Sequence, residues 1–309
     1  MNNNRKLYFS VVSFVLVLTA MLVGIFSLTE SQLNVNGYLG FTSHAELAVS
    51  SSMCEKIANG FGFTWRSRRE LVVNSIGGPC CKELSEIETL KFVNSVNDTM
   101  LKNFEKDNDG KPKGVSVISD DDAALGNITA YYSSTEKTLI VYSPKTIYAP
   151  ADSTGLFMPF YYYEGESSYN AVSNLKNIDF SNFDTSKVTN AMGMFNDLKS
   201  LQTLDLTQLD LSNVTNMSYM FAACTSLTEV RMNPINKFSK VTNINLMFND
   251  CSSLINIYMS GECDFNKDTV TGQNVFNNCE KLEGASMSFD SNCVDKTYAS
   301  TINGYFIEL

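Results

Sequence analysis

The chain has 309 residues, of which 44% are hydrophobic and 18% charged. That balance supports a buried core and excludes wholesale disorder. Acidic residues outnumber basic ones, 33 to 23, for a formal charge of −10, so the chain lacks the basic footprint that binding to a nucleic-acid duplex requires. Its one histidine, His44, rules out multi-histidine zinc sites and leaves Ser-His-Asp or Cys-His catalysis only one possible base.

The N-terminus is the first informative segment. Arg5 and Lys6 precede an uncharged apolar run of 22 residues, Leu7 to Leu28. About 20 helical residues cross a bilayer core, so this run predicts a membrane anchor with its basic flank inside. A cleaved signal peptide with a long apolar stretch is the alternative, and both readings place the remainder of the chain outside the cytoplasm. The expected organisation is an anchor or signal segment at 1–28, a mixed helix/strand region at 29–114, a strand-rich cap at 115–174, repeats at 175–288 and a C-terminal cap at 289–309. The expected fold class is therefore α+β: an N-terminal membrane helix, a small mixed segment, and a solenoid with one parallel strand per repeat.

Residues 29–114 carry weaker signals. Leu33 to Thr42 suggests an early strand or hairpin. Leu84, Ile87, Leu90, Val93, Val96 and Met100 stand three or four apart and predict a helix from Lys82 to about Phe104. A turn follows at 106–113, and then strands at 115–119, 128–132 and 139–142. Glu105, Asp107 and Asp109 before Gly110 imitate the opening of a calcium loop, but Ser116 stands where the bidentate glutamate belongs, so a hydrated turn is expected. No Gly-rich phosphate loop follows a strand, which argues against nucleotide binding. No metal or cofactor is expected.

The strongest signal is an internal repeat. Phe195, Phe221, Phe248 and Phe276 each stand six residues before a leucine, and each is preceded by a Val-Thr pair beginning at Val188, Val214, Val241 or Val270. The leading leucines of the strand-like segments, Leu175, Leu201, Leu227, Leu254 and Leu282, are spaced 26, 26, 27 and 28 residues apart. This period and the L-x-x-L-x-L pattern fit leucine-rich repeats, whose coils bury their apolar faces only by stacking. The pattern predicts one continuous parallel sheet with a strand per repeat, at about 177–181, 203–207, 229–233, 256–260 and 284–288. Alternation puts Leu204, Val230 and Ile257 inside, and Asp205, Glu229, Arg231 and Tyr258 outside. Thr189, Thr215 and Thr242, each followed by Asn, are expected to cap a short helical turn. The phenylalanines form the opposite wall. Cys224, Cys251 and Cys279 share a slot that is Leu198 in the first copy, so they are expected to be packed, reduced core thiols. Cys54 with Cys80 or Cys81, and Cys263 with Cys293, are conceivable pairs.

The frame Leu204-Asp-Leu, Ser212-Asn-Val-Thr-Asn-Met-Ser-Tyr-Met-Phe-x-x-Cys-x-Ser-Leu227 resembles the BspA-like leucine-rich-repeat surface proteins of bacteria. The resemblance runs from about Leu175 to Leu282 and continues upstream, where Leu156-Phe157 takes the place of the later Met-Phe pairs. It implies a non-enzymatic, surface-attached interaction or adhesion protein whose partner is a protein or glycan. The candidate binding residues are Asp205, Glu229, Arg231 and Tyr258 on the strand face, with the aromatic cluster Tyr161, Tyr162 and Tyr163 as a second surface or as the cap of the solenoid. Two other classes stand beside this reading: an exported enzyme with its site in 29–114, and a structural spacer.

Overall fold

The computed structural model describes residues 45–46, 86–116, 128–158, 174–261, 263–285 and 287–309. These fall in one compact unit, His44–Leu309. The described residues hold twelve short strands: β1 (Ala45–Glu46), β2 (Thr89–Val93), β3 (Val115–Ser116), β4 (Thr129–Ser133), β5 (Thr138–Tyr142), β6 (Ile147–Tyr148), β7 (Asn177–Asp179), β8 (Phe183–Asp184), β9 (Thr203–Leu206), β10 (Glu229–Met232), β11 (Asn256–Met259) and β12 (Phe306–Glu308).

Three of the predicted repeat strands lie side by side. β9, β10 and β11 are parallel and in the register of the repeat: Leu204, Val230 and Ile257 are neighbours and buried, while Asp205, Arg231 and Tyr258 are neighbours on the other face. The alternating burial of β9, β10 and β11 is the period-2 pattern read from the sequence. The first repeat strand, β7, belongs to a different sheet of order β3-β4-β5-β2-β7. There β2 runs parallel to both β5 and β7, setting Lys91 between Ile140 and Asp179.

The opposite wall is built of turns. Alternate N–H groups leave each coil for the next: Ala191, Gly193, Phe195 and Asp197 donate to the carbonyls of Asn216, Ser218, Met220 and Ala222. Met217, Tyr219, Phe221 and Ala223 repeat the pattern one coil on. The intervening amides close tight turns, as Met194 does on Ala191 and Met220 on Met217. Aiming alternate amides outward puts two positions per coil in the left-handed region, at Gly193, Tyr219, Leu246 and Asn274 and again at Asp197, Ala223, Asp250 and Asn278. Tyr219 (φ 58°) and Leu246 (φ 56°) adopt this conformation at a cost that glycine escapes; the bonds between coils offset it.

Four expectations are corrected. The α+β class gives way, among the described residues, to an all-β architecture whose only helical element is a 3-10 turn at Lys296–Tyr298. No helix among them is long and apolar enough to cross a membrane, and Leu7–Leu28 lies outside them. The helix expected over 82–104 is instead strand β2 followed by turns, its described part beginning at residue 86. Leu90 and Phe92 point inward with period 2, and pairing with β5 and β7 outweighs the helical spacing of Ile87, Leu90 and Val93. The threonine caps do not start helices. The hydroxyls of Thr215, Thr242 and Thr271 donate to the carbonyls of Thr189, Thr215 and Thr242, one coil back, at 3.0, 3.2 and 3.2 Å. The following Asn216 and Asn243 instead accept the N–H two residues on. Finally, the fifth repeat strand does not form. Glu283 pairs antiparallel with Ser288 instead, and β12 takes the place beside β11.

The predicted strands at 115–119, 128–132 and 139–142 correspond to β3, β4 and β5. The predicted turn at 106–113 closes through the pairing of Lys106 with Pro112. Its Asp107 carboxylate accepts the N–H groups of Asp109 and Lys111, both at 2.9 Å, as in a hydrated turn. The early hairpin lies outside the described residues.

Candidate functional site

The interior ladders fix the geometry of the strand face. Phe157, Phe195, Phe221, Phe248 and Phe276 are fully buried and stack in sequence, with ring centroids 5.1, 5.7, 5.0 and 5.9 Å apart and planes within 14° of parallel. Phe157 thus stands where the repeat frame places it, although 38 residues separate it from Phe195. Near-parallel rings at these separations lie within the roughly 4.5–7 Å range that aromatic pairs favour, and the spacing of stacked coils sets the distance.

Cys224, Cys251 and Cys279 are unpaired and buried. Each thiol donates to the carbonyl of the preceding coil's phenylalanine: Cys224 to Phe195 at 3.1 Å, Cys251 to Phe221 at 3.0 Å and Cys279 to Phe248 at 3.0 Å. Burial pushes the Cys224 and Cys279 thiols up to about 12, and it raises Cys251 well above its ordinary value. These are neutral packing groups that also satisfy one carbonyl per coil. Leu198 in the same slot signals the packing, but nothing in the sequence signals the hydrogen bond. Cys263 and Cys293 are likewise unpaired, and Cys54, Cys80 and Cys81 lie outside the described residues.

On this base the outward residues form rows. Asp205, Arg231 and Tyr258 sit in register on β9, β10 and β11, and Ile307 of β12 continues the row. Glu229 is two residues before Arg231 on the same face. Its carboxylate accepts Arg231 Nε at 2.6 Å, and the guanidinium lies over the Tyr258 ring, 4.3 Å from its centroid. The Glu229 carboxylate holds the guanidinium above its ordinary range, with Tyr258 and Asp205 adding to the shift. Four predicted residues are therefore brought together, and two of them fix the third. Asp205 is exposed, and one of its oxygens accepts the Thr207 N–H and hydroxyl at 2.9 and 2.6 Å. Tyr161, Tyr162 and Tyr163 lie outside the described residues.

Sequence reasoning missed how the face is bounded. At its N-terminal side the outer surface of β2 and β5 is not open. Val93 and Ile140 are covered by Leu101 and Phe104 from the turns after β2, with Val96, Met100, Tyr131 and Tyr142 packed alongside. The regular spacing of Val93, Val96 and Met100 reports this second apolar layer, but as turns rather than as a helix. The open part of that sheet's outer surface starts at Lys91 and Asp179.

Beyond the strand ends lies a shallow polar depression of about 270 Å³, lined by Thr146, Ser181, Asp184, Ser186, Gln208 and Asp210 among others. Its two carboxylates are engaged locally, Asp184 by the Ser186 N–H at 2.7 Å and Asp210 by the Ser212 N–H at 2.9 Å. Among the described residues no group of three or more His, Cys, Asp or Glu side chains is arranged to hold a metal ion.

Comparison with known families matches residues 166–289 to the family described as "Mycoplasma protein of unknown function, DUF285". The match covers the repeat array and is similarity to a family whose description names no activity. No curated protein and no solved structure matches the chain.

Proposed function

We propose that this is an exported cell-surface repeat protein of the BspA-like kind that binds a partner, protein or glycan, through the outward face of β9, β10 and β11, and that it is not an enzyme. The observation that carries the reading is the cluster of Glu229, Arg231 and Tyr258. A guanidinium held by a carboxylate on its own strand and by an aromatic ring on the next gives up little side-chain freedom on binding, and Arg and Tyr are the residue types that dominate binding energy at protein interfaces. The similarity of residues 166–289 to a repeat family agrees with this, and the uncharged run Leu7–Leu28 supports export. A protein surface suits the face better than a polyanion, because the row alternates acidic, basic and aromatic groups.

The test is a binding screen of the purified chain against extracellular matrix proteins and glycans, followed by the double substitution Arg231→Ala with Tyr258→Ala. Partner binding should be lost while folding stability changes by about 1 kcal/mol or less, as is usual for surface changes. A partner whose affinity survives the double substitution binds elsewhere, and the strand face is then not the site.

A further inference from the structure

The end of the array holds two candidates for one strand position. The fifth repeat follows the frame through Leu282, which is buried, and Glu283, whose N–H donates to the Ile255 carbonyl at 2.8 Å. Another step of 28 residues, the spacing of Leu254 and Leu282, would set Ala285 beside Ile257 and Met287 beside Met259. Instead the chain leaves the frame at Gly284. The Gly284 N–H donates to Met287 at 2.7 Å, and the Phe289 N–H donates to Leu282 at 2.9 Å. The vacated position is taken by β12, which sets Phe306 beside Ile257 and Ile307 beside Tyr258.

Two features decide the contest. Phe306 and Tyr305 are fully buried. Phe306 packs edge-on to Phe265 and Phe276, and Tyr305 to Phe276, while the Tyr305 hydroxyl accepts the Asp290 N–H at 3.0 Å. Ala285 and Met287 offer less apolar surface to the same space. The second feature is Gly284 itself. A Cβ there would collide with the Gly304 carbonyl oxygen and come within 2.8 Å of Tyr305 Cα. The missing side chain is what lets the C-terminal segment cross the fifth repeat and reach β11.

We infer that the position beside β11 is an exchange site: β12 occupies it at rest, and the fifth repeat segment, 284–288, is a reserve strand that takes it when the C-terminal residues are displaced. The device keeps β11 from becoming the edge of its sheet and leaves that place to a strand of three residues ending in the exposed Glu308, and short, charged edge strands recruit other chains least. Trimming of the C-terminus then costs stability but leaves the end closed by the repeat itself.

The test uses residue-resolved hydrogen exchange on the full chain carrying Gly284→Ala, which obstructs β12 and leaves the rest of the fifth repeat unchanged. Exchange at Ile307 and Leu309, whose N–H groups face β11, should quicken, and exchange at Ser288, whose N–H would face the Met259 carbonyl in the repeat frame, should slow by about tenfold or more, as expected for an amide moved from a surface turn into a ladder. A chain ending at Asn303 should show the same slowing, keep protection in β10 and β11, and keep the association state of the full chain. If β12 loses protection with no gain at Ser288, or if the shortened chain associates where the full chain does not, the reserve strand does not exist. A shortened chain that fails to fold also counts against it, and the Gly284→Ala result stands on its own.

Discussion

Phe221→Ala tests the physical basis of the array. Phe221 is the middle of five stacked rings, 5.7 Å from Phe195 and 5.0 Å from Phe248, and it is fully buried. Removing a buried phenylalanine side chain costs about 3–5 kcal/mol from lost transfer energy and the cavity left behind. The site sits at the upper end, because coils held together by bonds on both walls cannot collapse into the gap: the Phe221 N–H donates to Met247, and its carbonyl accepts the Cys251 thiol. We expect a loss of about 4–5 kcal/mol, measured by urea denaturation. Stacking energy is local, so a double-substitution cycle with Phe248→Ala should show a coupling of about 1 kcal/mol. The cycle with Phe157→Ala, two rings away, should be additive within about 0.5 kcal/mol. A loss under about 1 kcal/mol, or equal coupling to the near and far rings, would refute nearest-neighbour stacking as the source of stability.

Native protein should resist thiol reagents at Cys224, Cys251 and Cys279 and become labelled there only on unfolding; labelling at unfolded rates would show that the slot is open. The same thiols predict a pH dependence. Their folded values are raised, to about 12 for Cys224 and Cys279, against an ordinary 9.0. Above pH 9 the unfolded chain therefore releases protons that the folded chain retains, so the thiols' contribution is intact below pH 9 and is lost as pH rises toward 12. Replacing both cysteines by alanine should flatten denaturation midpoints across that window, and an unchanged slope would sink the assignment. Cys251→Asp should cost several kcal/mol, roughly 3 or more, because it strands a carboxylate in the packed slot, whereas Cys251→Ala should cost clearly less in the same urea titration.

The sequence by itself determined what repeats. The leucine period, the phenylalanine wall, the buried thiol slot exposed by Leu198, and the outward placement of Asp205, Glu229, Arg231 and Tyr258 all follow from one stacking rule applied along the chain. Local pattern carries these features because every coil solves the same burial problem with the same spacing. Tertiary structure decided the ends and the second wall. β2 reads as a helix because Ile87, Leu90 and Val93 stand three apart, and only its position between β5 and β7, strands far from it in sequence, makes it a strand. The threonines read as helix caps until the preceding coil's carbonyls are in place to accept their hydroxyls. The contact of Arg231 with Tyr258 joins residues 27 apart and exists only because β10 and β11 are in register. At the C-terminal end the repeat predicts a strand at 284–288, and β12 displaces it because Tyr305 and Phe306 bury more apolar surface against Phe276 and Phe265 than Ala285 and Met287 could. Periodicity specifies the interior of a solenoid, where each coil has two like neighbours; an end has only one, and what covers it is set by whichever distant segment fits.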